Sequence, residues 1–202
     1  KTRIMPALQL MDSQPIPEKH VFVEKADALQ SSLKMGGFMM DRTHPDFLKA
    51  RIMVTLFGGY FGSRLMSNIR EDKGYTYGIG AGIVNCPGSG VLVVTTEADN
   101  QYIDSIIHEV YLEMDRMCND LAPKEELEMV RNYMLVDMSR SYEGPFSLSD
   151  AWIYIETAEL DDDFFVRSLD AIRSVTSEEI RTLAQRYFCK EKLIEVVAGK
   201  KV

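Results

Sequence analysis

Apolar and polar positions alternate along 20–25 (HVFVEK) and, after a short break, along 29–40 (LQSSLKMGGFMM), so two neighbouring strands are expected. Phe47, Leu48, Ile52, Val54, Leu56 and Phe57 then mark a helix apolar over most of its surface and therefore buried. Pro45 suits its first position, where a missing N–H does no harm. Gly58, Gly59 and Gly62 interrupt this helix or permit close packing, and a second helix is expected from about Ser63 to Glu71. Residues 75–84 and 90–98 read as two strands of a hairpin joined by the turn-like NCPGSG.

The period then changes. Ile103, Ile106, Ile107, Val110, Met114 and Met117 recur at spacings of three and four, the core stripe of a helix. Pro123 opens another, with Leu127, Val130, Met134 and Met138 on one face. A break at Glu143-Gly144-Pro145 precedes a helix over about Ser147 to Glu159. Asp161–Asp163 are expected in the first turn of the next helix, where they favour the macrodipole. Thr176 and Glu179 form a capping box for a last helix running to about Phe188, and 193–199 (LIEVVAG) closes with a strand. Paired strands and segregated helices imply an α+β domain, an antiparallel sheet with helices packed on one face. Residues 1–18 contain Pro6, Pro15 and Pro17 without a steady period and read as an extended lead-in or linker, leaving 19–202 as one domain. Gly78, Gly80 and Gly82 fall at alternate strand positions, so a bare strand face with a helix packed closely on it is expected.

Composition narrows the function. Of 202 residues, 46% are hydrophobic and 27% charged, a globular balance, and the net charge of -8 disfavours nonspecific binding to nucleic acid or anionic membrane. No apolar run approaches the ~20 residues that span a bilayer. Lys1 to Met11 lacks the continuous apolar stretch of a signal peptide, and the start at Lys1 leaves open a piece of a longer chain or a processed product. Cys86, Cys118 and Cys189 show no C-x-x-C spacing and read as small core or surface residues. The compartment stays open.

Catalytic motifs are missing. Three histidines exist, His20, His44 and His108. H-E-x-x-H places two imidazoles on one helix face, but His108-Glu109 is followed by Leu112 at the second histidine's position, and the reversed H-x-x-E-H fails at all three. No metal site is therefore expected within this chain. His108 reads as part of a solvated helix face, and Glu125–Glu126 as first-turn helix charges.

One segment is specific. The run LFGGYFGSRLMSNIREDKGYTYGIGAG carries Gly58-Gly59, Ser63-Arg64-Leu65, Ile69-Arg70-Glu71, Lys73-Gly74 and Tyr77. It resembles the second-half signature of the pitrilysin/insulinase (M16) zinc metallopeptidases, a group that includes mitochondrial processing peptidases. The helix at LAPKEELEMVRNYM and the closing unit LDAIRSVTSEEIRTLAQRYFCKEKLIEVVAG are similar in the same order, so the resemblance covers about residues 20–199.

The resemblance implies a metallopeptidase-half fold and a division of labour. Two homologous halves close around an unfolded peptide; the first carries the inverted zinc motif, and the second, lacking it, reaches into the same chamber. Its arginine and the tyrosine seven residues later contact substrate near the scissile bond, positions that fall on Arg70 and Tyr77. Guanidinium and phenol suit that role, because both donate hydrogen bonds to a carbonyl or a developing oxyanion. Tyr75 is a same-face alternative to Tyr77. The implied partners are a zinc-bearing half, in the same polypeptide or a separate subunit, and a peptide substrate. The zinc belongs to that partner, and no peptidase activity is expected of this chain alone. Two other readings are a non-enzymatic docking subunit of the same family, and a free-standing domain that captures an extended peptide on a sheet edge.

Overall fold

Side-chain alternation decides which face of the sheet the helices cover. The computed structural model describes residues 18–86 and 88–201. Five strands form one sheet: β1 (His20–Glu24), β2 (Gln30–Met39), β3 (Thr76–Cys86), β4 (Ser89–Asp99) and β5 (Ile194–Gly199), in the order β1-β5-β2-β4-β3. Leu33, Met35 and Met39 of β2, Leu92, Val94 and Ala98 of β4, and Val197 of β5 are buried, whereas Lys34, Phe38, Thr95 and Glu97 between them are exposed. The first set faces the helices and the second faces away, as a period of two requires. The expected α+β class is observed, with the β2–β4, β2–β5 and β3–β4 pairs antiparallel and β1–β5 parallel.

β1 and β2 are not neighbours as expected; β5 lies between them. β1 is mostly exposed and ends in Glu24, which suits an edge, whereas β5 brings the buried Val197 and takes an interior place. The buried Glu195 of β5 is satisfied by His20 Nδ1 at 2.5 Å and by the Tyr111 hydroxyl, so the swap leaves no unpaired carboxylate.

The helical layer begins with α1 (Phe47–Val54), prolonged by a π-helical turn over Thr55–Gly59. α1 opens two residues after Pro45, because Phe47 N–H donates to the His44 carbonyl at 2.9 Å and closes a turn first. Then follow a helix over 64–72, α2 (Ile103–Asn119), α3 (Lys124–Arg140), α4 (Pro145–Thr157), α5 (Phe164–Ser174) and α6 (Ser177–Tyr187). The stripe Ile103, Ile106, Val110, Met114 and Met117 is buried, and the Thr176–Glu179 capping box forms. Asp161–Asp163 precede α5 instead of filling its first turn; Asp163 is the N-cap and accepts from Arg167 Nε at 2.8 Å. Phe47, Phe57 and Phe164, at most 2% exposed, each contribute about 1.5–3 kcal/mol by leaving water.

The close helix-on-sheet approach comes from the other side than expected. A Cβ on Gly58 would lie 2.6 Å from Ala81 Cβ, so the missing side chain is the helix's. Gly78 and Gly82 would meet nothing within 4 Å, and Gly80 only the Gly58 carbonyl oxygen at an ordinary 3.6 Å. Their face of β3, at the sheet's edge, is open. The lead-in expected over 1–18 lies, except for Glu18, outside the described residues.

Candidate functional site

Arg70 and Tyr77 stand at the junction between the 64–72 helix and the edge strand β3. The helix begins as an α-turn and widens to π-helix over Met66–Asp72. Such turns insert a residue and recur at functional sites. It ends with Tyr75 N–H donating to the Ile69 carbonyl at 3.0 Å and Gly74 N–H to the Arg70 carbonyl at 3.2 Å. Gly74, at φ +65°, takes the left-handed conformation that reverses the chain into β3.

Side-chain anchors hold this helix against its neighbours. Arg64 makes a bidentate pair with Glu126 of α3, at 2.7 and 2.8 Å. Asn68 Nδ2 donates to Glu109 at 3.0 Å and to Glu113 at 2.7 Å, both on α2. Lys73 Nζ lies 3.3 Å from Glu109. Burial raises the Glu109 carboxyl, but hydrogen bonds from Asn68 and Lys73 outweigh it and hold the group below its ordinary value. Ile69 is wholly buried beneath.

On this base Arg70 turns outward. Its Nε donates to the Tyr77 carbonyl at 2.9 Å, and its guanidinium carbon lies 4.6 Å from the centre of the Phe61 ring. The cation–π contact and hydrogen bond orient the guanidinium while its side chain stays 34% exposed. Its nearest carboxylate, on Glu71, is 3.9 Å away, a weak surface pair. Tyr77 is 92% exposed. A register irregularity between Thr76 and Ile79 aims it outward; Thr96 Oγ1 donates to the Gly78 carbonyl at 2.7 Å there.

The structure thus brings the two expected residues together and removes the alternative. Tyr75 is not a same-face neighbour of Tyr77: it stacks on Tyr102 at 4.8 Å and packs against the core. Reading the sequence misses three contributors to this corner: Phe61, Asn68 and Thr96. Phe61 alone has a recoverable hint, a bulky aromatic set among Gly58, Gly59 and Gly62.

The histidines of the described residues lie apart from one another. His20 pairs with Glu195, His44 Nδ1 accepts from Asp46 N–H, and His108 is exposed on α2. Among the described residues no group of three or more His, Cys, Asp or Glu side chains is placed to hold a metal. The three cysteines are free. No helix of the described residues is long and apolar enough to cross a membrane.

A family model for the peptidase M16 inactive domain matches residues 3–134. No curated protein sequence is a significant match. Among solved structures, the peptidase M16 inactive domain from Pseudomonas fluorescens shares 20% identity at a TM-score of 0.86, over 98% of this chain and 48% of that one. A protease from Helicobacter pylori shares 12% identity at 0.83, over 96% and 48%. A chain of complex III2 from Candida albicans shares 10% identity at 0.75, over 90% and 46%. At these identities the likeness is one of fold, and the chain spans about half the length of each of these structures.

Proposed function

This chain belongs to the peptidase M16 family as an inactive domain, and on that premise we propose that it is the substrate-binding half of a zinc metalloendopeptidase. It lines the cleft for an extended peptide and completes the active site of a zinc-bearing partner half. Arg70 donates to a substrate carbonyl or to the oxyanion that develops there, and Tyr77 adds a second donor. The observation that carries this reading is the Arg70 guanidinium, held at 2.9 Å by the Tyr77 backbone carbonyl and propped on Phe61, yet partly open to solvent, with the Tyr77 side chain itself exposed. Donors supplied from the opposite half would tie catalysis to closure and to exclusion of water.

The test is peptide cleavage by the chain assembled with a zinc-bearing half. Arg70→Ala should lower kcat by about 10²–10³, the range for one lost oxyanion donor, with the melting temperature unchanged. A loss under tenfold counts against the role. Tyr77→Phe removes the hydroxyl alone and should cost less.

A second reading is a non-enzymatic docking subunit, a role that the same fold could serve, since a chain of complex III2 shares it. It requires a stable assembly with no cleavage under any pairing, whatever stands at position 70.

A further inference from the structure

Two charged side chains leave α1 toward the helical layer. Lys49 pairs with Glu179 of α6. Arg51, flanked by the fully buried Ala50 and Ile52, enters none of the ion pairs among the described residues. Its Nε is sealed from solvent and has no hydrogen-bond partner among them. The side chain as a whole is half-buried, but its sealed Nε is costly, because the desolvation of that N–H is not offset by a partner. Burial pulls its pKa down, with Tyr154, Asp137 and Tyr142 acting in the opposite direction.

A second orphan faces the same space. Ser168 of α5 is 2% exposed, and its Oγ also lacks a partner. A buried helix serine ordinarily donates to the carbonyl four residues back, and this one does not. Arg51 and Ser168 line one cavity of about 220 Å³, between α1, α3 and α5. The Thr55 hydroxyl at its wall is committed to the Arg51 carbonyl at 2.8 Å. Tyr133, Met134, Met138 and Phe165 add apolar side chains to a lining that is otherwise mostly polar, with Asp137 and Ser141 beside them. A neighbouring cavity of about 480 Å³ shares Arg51 and Phe165 and runs on to Tyr154 of α4, so the guanidinium stands where the two meet.

We propose that this cavity binds a small organic carboxylate with an apolar body. The planar guanidinium matches a carboxylate with parallel N–H donors, the Ser168 hydroxyl adds a third hydrogen bond, and Phe165, Tyr133 and Met134 cover the body. Asp137, exposed, lines the same cavity and repels an anion, which holds the affinity to the millimolar range. The site is separate from Arg70 and Tyr77 and does not depend on the peptidase reading. Water bridging the two orphan groups is the competing account, since a polar cavity of this size holds several molecules at ~30 Å³ each.

Titration of the full chain with benzoate, followed by calorimetry and by amide resonances, separates the two. Benzamide serves as the neutral control of the same shape. Saturable binding with Kd of about 1 mM is expected, with shifts centred on residues 51, 165 and 168, and benzamide at least tenfold weaker. Arg51→Met should weaken benzoate by about tenfold or more, as for loss of a charge-assisted pair, and Ser168→Ala by a smaller factor. If Arg51→Met does not fold, Arg51→Lys, which keeps the charge but loses the fork, should still weaken binding. Absence of saturable shifts at those residues, or equal binding of benzamide, overturns the proposal and leaves water as the occupant.

Discussion

Arg70 and Arg51 lie nineteen positions apart on consecutive helices and meet opposite fates. Arg70 is at the surface but satisfied: one carbonyl and one aromatic ring fix its direction, and the rest of the guanidinium is free to meet a ligand. Arg51 is half-buried and left short, its Nε sealed from solvent with no partner among the described residues. Exposure therefore does not separate a functional arginine from a structural one. What separates them is which of their hydrogen bonds the fold has already filled. Arg70 is oriented by the fold with donors to spare, and Arg51 is left short by the fold and has to be completed by something else.

The comparison breaks most readily at Arg70. Its replacement by alanine in the assembled enzyme is the largest effect expected, about 10²–10³ in kcat, read by steady-state cleavage. Next comes the contact that seats the end of α1 on the edge strand beneath that corner. Gly58→Val would drive methyl groups into Ala81 and should destabilise the fold by about 1–3 kcal/mol, seen as a lower denaturant midpoint. Gly74→Ala tests the reversal that delivers Tyr77. Nothing lies within 4 Å of the added methyl, so the whole effect is the left-handed backbone, about 1–2 kcal/mol.

The smallest effect is one of pH. Glu109 is held below its ordinary value by Asn68 and Lys73 against the opposing pull of burial, so its folded pKa lies under its unfolded one. Its stabilisation is complete above the unfolded value near ~4.3 and is lost as the pH falls through the lower folded value. Glu109→Gln should therefore reduce stability at neutral pH and matter less in acid. An equal loss at both extremes would mean that Glu109 acts through packing alone.

How far the sequence foretells this depends on distance along the chain. The α2 stripe and the capping box of α6 were legible because each is decided within a few residues, and the meeting of Arg70 with Tyr77 was legible because only a short turn separates them. The place of β1 was not, since it rests on a strand some 170 positions later. The exclusion of Tyr75 was not legible either. Strand alternation makes it a partner of Tyr77, but stacking on Tyr102 and the irregularity after Thr76 override the period. The glycines of β3 mark an open face because the tight approach belongs to Gly58, which only the packed structure shows. Arg51 carries no motif at all: an arginine in a helix reads as its solvent side until its neighbours are placed around it.

The central claim is that this chain offers donors to a peptide whose hydrolysis is carried out elsewhere. Cleavage of an unfolded peptide should be compared for this chain alone, for a zinc-bearing half alone, and for the two together. The account expects hydrolysis only from the mixture. Full activity from the zinc-bearing half by itself, or hydrolysis by this chain with stoichiometric zinc bound to its own side chains, would contradict it.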